Sequence, residues 1–269
     1  MRGVIKFIVA LLLAAVSLVT YWCNTQENEF TGESQHVDMT VDQEIALGLQ
    51  AAPQMAEQYG GLHADREAAQ SVKAIGQKLV QNTKAGTTPY TFDFHLLADE
   101  QTVNAFALPG GQIFITAGLL KRLSSEGQLA GVLAHEIGHV VARHSAQQLA
   151  KAKLTQGLTG AAAIATYDPE NPASRGGAVA AAMVGKLLTM RYGRDDELES
   201  DKLAVQLTGA SGYDPRAMIE VMRILEQASG GAGGPEFMQT HPNPGNRIAE
   251  IERAIQETYP NGVPEGLQQ

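Results

Sequence analysis

In this 269-residue chain, His135, Glu136 and His139 have the types and spacing that hydrolysis needs. They lie in the apolar run from Leu129 to His144, flanked by Val132, Leu133, Val140 and Val141. A helix turns about 100° per residue, so positions four apart fall about 40° apart on one face and can aim both imidazoles at one ion. Glu136 sits beside that face, placed to act as a general base on a water rather than to hold the ion. Without an ion, a buried helix carrying these three groups would hold costly unpaired polar atoms. The stretch therefore reads as a zinc site.

A catalytic zinc wants three protein ligands and one open position. The stretch Met190 to Val205 offers Glu197 and Asp201, four apart on one face of the helix that its second half predicts. One could ligate while the other fixes a histidine tautomer from behind. His241 follows a glycine-rich segment, Ser229 to Pro235, and precedes Pro242. Its spacing fits a surface histidine and a loop group that swings into the site equally well. His95, alone in a strand, reads as a satisfied surface residue.

These groups need a frame. From Val41, with Asp42 as cap, a helix is expected with an apolar stripe at Ile45, Leu49 and Ala52 and a kink or break at Pro53. Arg66 to Thr83 repeats the helical pattern through Val72, Ile75 and Leu79. Thr91 to Leu96 alternates as a strand, with Phe92, Phe94 and Leu96 on one face. Asn104 to Thr116 reads as two short strands around Pro109-Gly110-Gly111. That hairpin leads straight into the motif helix, which starts near Ser124 to Gly127, so it must lie close to the metal. An exposed edge at Asn104, Ala105, Phe106 and Ala107 could hold an extended peptide by backbone hydrogen bonds, and the spacing fits a plain structural hairpin equally well. The small-residue segments Gly157 to Ala165 and Gly176 to Gly185 suggest two close-packed helices around a turn at Tyr167 to Pro172, covering the active site rather than spanning a membrane. A turn at Ser211 to Pro215, a helix from Ala217 to Ala228 and a last helix to about Glu257 complete the frame.

With 44% hydrophobic and 18% charged residues, the chain can bury one sizeable core. A net charge of -9, with no basic cluster, excludes a nucleic-acid footprint. A short basic start and the apolar run Phe7 to Val19 make residues 1–23 a signal peptide or a membrane anchor, with Tyr21 and Trp22 suited to the interface. The sole cysteine, Cys23, invites a lipoprotein reading, which Trp22 opposes because such signals place a small residue there. The polar stretch 24–40 reads as a linker or strap, 41–259 as the catalytic domain and 260–269 as a tail.

Four motifs occur in a familiar order: Asn104 to Gly111, His135 to His139, Arg194 to Asp201, and Thr240-His241-Pro242 with Arg247. From about Thr31 to Ile255 the chain resembles the HtpX/Oma/BepA-type (Ste-type CAAX protease-like) membrane-associated zinc metalloendopeptidases. Thr31-Gly32-Glu33 and Ala46-Leu47-Gly48 look most like the LoiP/Oma branch. The resemblance implies an α+β, mostly helical zincin of the gluzincin type, with a small sheet beside the zinc helix. It implies one zinc held by His135, His139 and Glu197, Glu136 as the base, and Asp201 as partner of a ligating histidine. His241 matches a loop histidine that approaches the zinc as a fourth ligand or latch, and Arg247 a position near that loop. Tyr192, His241 and Arg247 are the oxyanion candidates.

Gly193 stands where relatives often carry serine, and no tetratricopeptide-like array follows residue 260, so the scaffold role of longer BepA-type proteins is not implied. The expected activity is cleavage of misfolded or unassembled envelope proteins by an exported, periplasmic or membrane-anchored enzyme. The competing classes are a zinc-stabilised chaperone or adaptor and a non-proteolytic zinc hydrolase.

Overall fold

The computed structural model describes residues 2–166, 186–187, 190–228, 235–242 and 245–269. Helix α1 (Arg2–Cys23) leads into an antiparallel pair, β1 (Thr25–Glu27) and β2 (Ser34–His36). Among the described residues α1 is the one helix long and apolar enough to cross a membrane, with mean hydropathy 2.4 over Val4–Cys23. Its side chains at Val4, Phe7, Leu11, Leu12 and Val19 are exposed. The β1–β2 hairpin is tied down: Asn28 donates to the Val141 carbonyl at 2.9 Å, and His36 stacks on Tyr21 with ring centroids 4.4 Å apart.

Helix α2 (Val41–Gln58) departs from its expected cap and face. Thr40, not Asp42, is the N-cap, because Thr40 and Gln43 satisfy each other's backbone N–H groups in a capping box. The buried face is Glu44, Leu47, Gly48, Ala51 and Met55, while Ile45 and Ala52 are half-buried and Leu49 is 55% exposed. Gly48 decides this, since a Cβ there would overlap the Pro109 carbonyl and only a small-residue face can come so close. Pro53 lies on the exposed side, where water can serve the carbonyl it leaves unbonded, and the helix runs through it.

Helix α3 (Arg66–Gln81), capped by Asp65, buries Val72, Ile75 and Leu79 as its period requires. Three strands follow: β3 (Asp93–Leu97), β4 (Ala105–Ala107) and β5 (Gln112–Thr116), in spatial order β3-β5-β4. β3 runs parallel to β5 and β4 antiparallel to it. The β4–β5 reversal is made by Gly110 and Gly111, with φ of 82° and 106°. Phe94 and Leu96 enter the core, while His95 is satisfied on the other face by Gln112 at 2.9 Å.

After the short α4 (Ala117–Leu120), α5 (Glu126–Val141) starts at the N-cap Ser125 and is buried on all sides from Gly127 to Val141. Helices α6 (His144–Thr166), α7 (Arg194–Ala210), α8 (Ala217–Ala228), α9 (Glu236–Thr240) and α10 (Arg247–Thr258) complete the mostly helical fold with its small sheet. The Gly157 to Ala165 segment continues α6 beside α1, and Gly157 leaves no room for a Cβ against Ser17. The expected Tyr167 to Pro172 turn and Gly176 to Gly185 helix lie outside the described residues, as does the glycine-rich loop up to Gly234. Residues 260–269 are stitched to the body: Gln268 exchanges backbone hydrogen bonds with Gly212 and Asp214 at 2.9 and 2.8 Å.

Candidate metal centre

α5 supplies His135 and His139 one turn apart, with their Nε2 atoms 3.0 Å from each other. α7 crosses α5 at Gly138, where an added Cβ would stand 3.2 Å from Ser200 Cα. That close approach lets Glu197, in the first turn of α7, reach both histidines: its oxygens lie 3.5 Å from His135 Nε2 and 3.4 Å from His139 Nε2. His241 caps the C-terminus of α9, stacks on Phe237 with centroids 4.3 Å apart, and places Nδ1 3.0 Å from Glu197 and 3.4 Å from His135 Nε2. One donor atom from each of His135, His139, Glu197 and His241 falls within 4.8 Å of the others, and all four residues are buried.

Behind this cluster stand further charges. His135 Nδ1 faces Asp201 at 2.9 Å. Arg247, itself buried, grips Asp201 with two hydrogen bonds of 2.8 and 2.7 Å and reaches Glu197 at 2.9 Å. Burial alone would push His135 down, but Asp201 and Glu197 carry it up to about 9. Burial raises Glu197 and Asp201 too, yet the imidazoles of His241, His135 and His139 hold Glu197 well below its usual range, and Arg247 and His135 hold Asp201 below its own. His139, facing fewer acids, is held well below its usual value by burial.

Asp201 engages the hydrogen on Nδ1 of His135, so Nε2 is the nitrogen left to face His139 and Glu197 and to ligate a cation in exchange for its proton. Lone pairs from several groups then converge on one buried point, an arrangement that a bound cation resolves. The donor set thus fits a metal ion. Glu136 lies at the rim. Both its oxygens are buried without a hydrogen-bond partner, the nearer is 3.6 Å from His241 Nε2, and burial raises its pKa.

The structure therefore gathers His135, Glu136, His139, Glu197, Asp201, His241 and Arg247 into one centre, and the surface alternative for His241 falls. Tyr192 roofs His139, stacked with centroids 3.9 Å apart, but its hydroxyl pairs with Ser145 at 3.0 Å. The edge strand β4 differs from expectation: Asn104, Ala105, Phe106 and Ala107 are all buried. α9 meets the chain just before β4: Phe237 N–H donates to the Val103 carbonyl at 3.1 Å, and Glu236 accepts from Asn104 at 3.0 Å and from Tyr59. Sequence reasoning gave no part to Tyr59, Glu236 or His144, and His144 lies 2.8 Å from His139. The one signal for His144 was a second histidine five residues past the motif in an apolar setting.

Comparison with known proteins gives a consistent result. The family model described as peptidase family M48 matches residues 66–255. The chain is 29% identical over 269 residues to the "Beta-barrel assembly-enhancing protease" of Escherichia coli (strain K12), covering 96% of this chain and 54% of that protein. To the protein of the same name from Yersinia pestis it is 31% identical over 237 residues, covering 86% of this chain and 47% of the relative. It is also 27% identical over 242 residues to the "Mitochondrial metalloendopeptidase OMA1" of Schizosaccharomyces pombe, covering 89% of this chain and 69% of the relative. The chain spans about half the length of the two bacterial relatives.

Proposed function

The chain belongs to peptidase family M48, and from that premise we propose that it is a zinc-dependent endopeptidase acting on misfolded or unassembled proteins of a bacterial envelope. One observation carries the reading: a carboxylate with two buried, unpartnered oxygens, Glu136, stands beside a buried cluster of three imidazoles and one carboxylate. A non-catalytic zinc scaffold would have no use for that costly group.

In this reading His135, His139 and Glu197 hold one zinc, the metal that suits nitrogen and carboxylate donors in near-tetrahedral number. When bound, zinc supplies a Lewis acid that polarises the scissile carbonyl and makes water more acidic. Glu136 takes a proton from the attacking water and returns it to the leaving amine as the C–N bond breaks, a role that its raised pKa suits. Asp201 orients His135, and Arg247 neutralises the paired carboxylates of Glu197 and Asp201. The Tyr192 hydroxyl and the Arg247 guanidinium have protein partners already, whereas Nε2 of His241 has no hydrogen-bond partner, which makes His241 the candidate of the three for contact with the oxyanion, and a latch while it sits among the donors.

The relatives' names support polypeptide substrates and, with the apolar α1, a membrane or envelope location. Residues 1–23 serve as a retained anchor rather than a cleaved leader, because Tyr21 and Trp22 pack on His36 of the following hairpin. Residues 41–259 form the peptidase body. The decisive experiment compares wild type and Glu136→Gln on unfolded casein with and without zinc. Wild type is expected to cleave only with zinc, and the variant to lose about 10²- to 10⁴-fold while keeping its metal. Equal inactivity of both, with both suppressing aggregation, would favour a chaperone.

A further inference from the structure

α5 does not run on into α6. Arg143 takes a left-handed backbone conformation, φ 59°, and is the one non-glycine residue to do so among those described. The turn is held from outside: Arg143 Nε donates to Glu44 at 2.7 Å and Nη2 to the Met39 carbonyl at 2.7 Å. The chain thereby doubles back and brings His144, the first residue of α6, beneath His139.

His144 is fully buried. Its Nδ1 lies 2.8 Å from Nδ1 of His139, its Nε2 3.1 Å from a Glu199 oxygen, and Ser200 Oγ stands 3.5 Å from its Nδ1. Two ring nitrogens at that separation share one hydrogen. Glu199 can only accept, so the hydrogen of a neutral His144 is on Nε2 and its Nδ1 is bare. The shared hydrogen then belongs to Nδ1 of His139. That leaves Nε2 of His139, the nitrogen 3.0 Å from His135 Nε2 and 3.4 Å from Glu197, with its lone pair facing the cluster.

We propose that Glu199 and His144 are positioning residues, a relay that fixes His139 in its metal-binding tautomer as Asp201 does for His135. The inference rests on the metal-centre reading above, but the tautomer can be tested without metal. In the metal-free full-length protein, nitrogen-15 NMR is expected to show His139 protonated on Nδ1 in wild type and in His144→Asn, whose Oδ1 takes the place of the ring acceptor. His144→Leu is expected to shift His139 toward the other tautomer.

In parallel, zinc affinity measured against a competing chelator should fall about 10- to 100-fold in His144→Leu and be largely kept in His144→Asn. Loss of packing alone would lower thermal stability in both without separating them this way. Should His144→Leu fail to fold, Glu199→Ala carries the test, since that side chain is 29% exposed, and it should weaken zinc binding at least several-fold. Unchanged tautomer and affinity in the variants would overturn the relay, as would a wild-type His139 protonated on Nε2. A wild type with the expected tautomer but no affinity for zinc would overturn the proposed function and leave the relay standing.

Discussion

His135, Glu136 and His139 were legible because helical periodicity is local: the angle between them needs no knowledge of the rest of the fold. The ligand count of a catalytic zinc narrowed the third position to Glu197 or Asp201, and the family resemblance chose Glu197. His241 was not settled by spacing, since a loop residue has no period, and its burial against Phe237 depends on tertiary packing. His144 escaped for a sharper reason. On an unbroken helix it would point about 140° away from His139, and the left-handed turn at Arg143 resets that phase. At this scale His241 makes the clearest prediction. Its ring fills space among the donors, so His241→Ala should raise the casein cleavage rate several-fold at saturating zinc. An equal or lower rate would remove the latch and keep only a structural or transition-state role for this residue.

The elements were legible where burial follows a single stripe, as in α3, and misread where close approach selects small residues. In α2, Leu49 stays outside because Gly48 touches the Pro109 turn, a contact between segments about sixty residues apart. β4 shows the same limit: strand propensity located it, yet only the fold reveals that Asn104, Ala105, Phe106 and Ala107 are buried. The start of α8 carries a testable charge. Asp214 accepts hydrogen bonds from the Arg216 side chain and backbone and from Gln269, which hold its carboxyl below the usual range despite burial. A lowered folded-state pKa adds stability that is present above the unfolded value, near pH 4, and is lost as pH falls through the folded value. Asp214→Asn should therefore cost about 1–2 kcal/mol at pH 7, read from the urea midpoint, with the gap to wild type narrowing on acidification below pH 4. A gap independent of pH would show that shape, not charge, matters there.

For the molecule as a whole, the donors come from α5, α7 and the residue after α9, with α1 standing to one side against α6. The sequence disclosed an apolar N-terminal segment but not its docking on α6, which brings together residues some 140 positions apart. If α1 is a retained anchor, the full chain should stay with membranes through an alkaline carbonate wash, and a chain lacking residues 1–23 should be released. Full-length protein in the soluble fraction would exclude the anchor.

The pairing of α1 with α6 also sets a distance. Tyr21 and His36 on one side and Lys153 on the other line the same recess, so they mark one level. His144, beneath the metal centre, lies nine residues back along the same helix, about 13 Å at 1.5 Å per residue. If α1 is embedded and the centre cleaves as proposed, α6 sets the distance between bilayer surface and cleavage point. Such an enzyme would cut at a fixed height, sparing segments that never approach the membrane, and substrates would be chosen by where a chain is severed as much as by what its residues are.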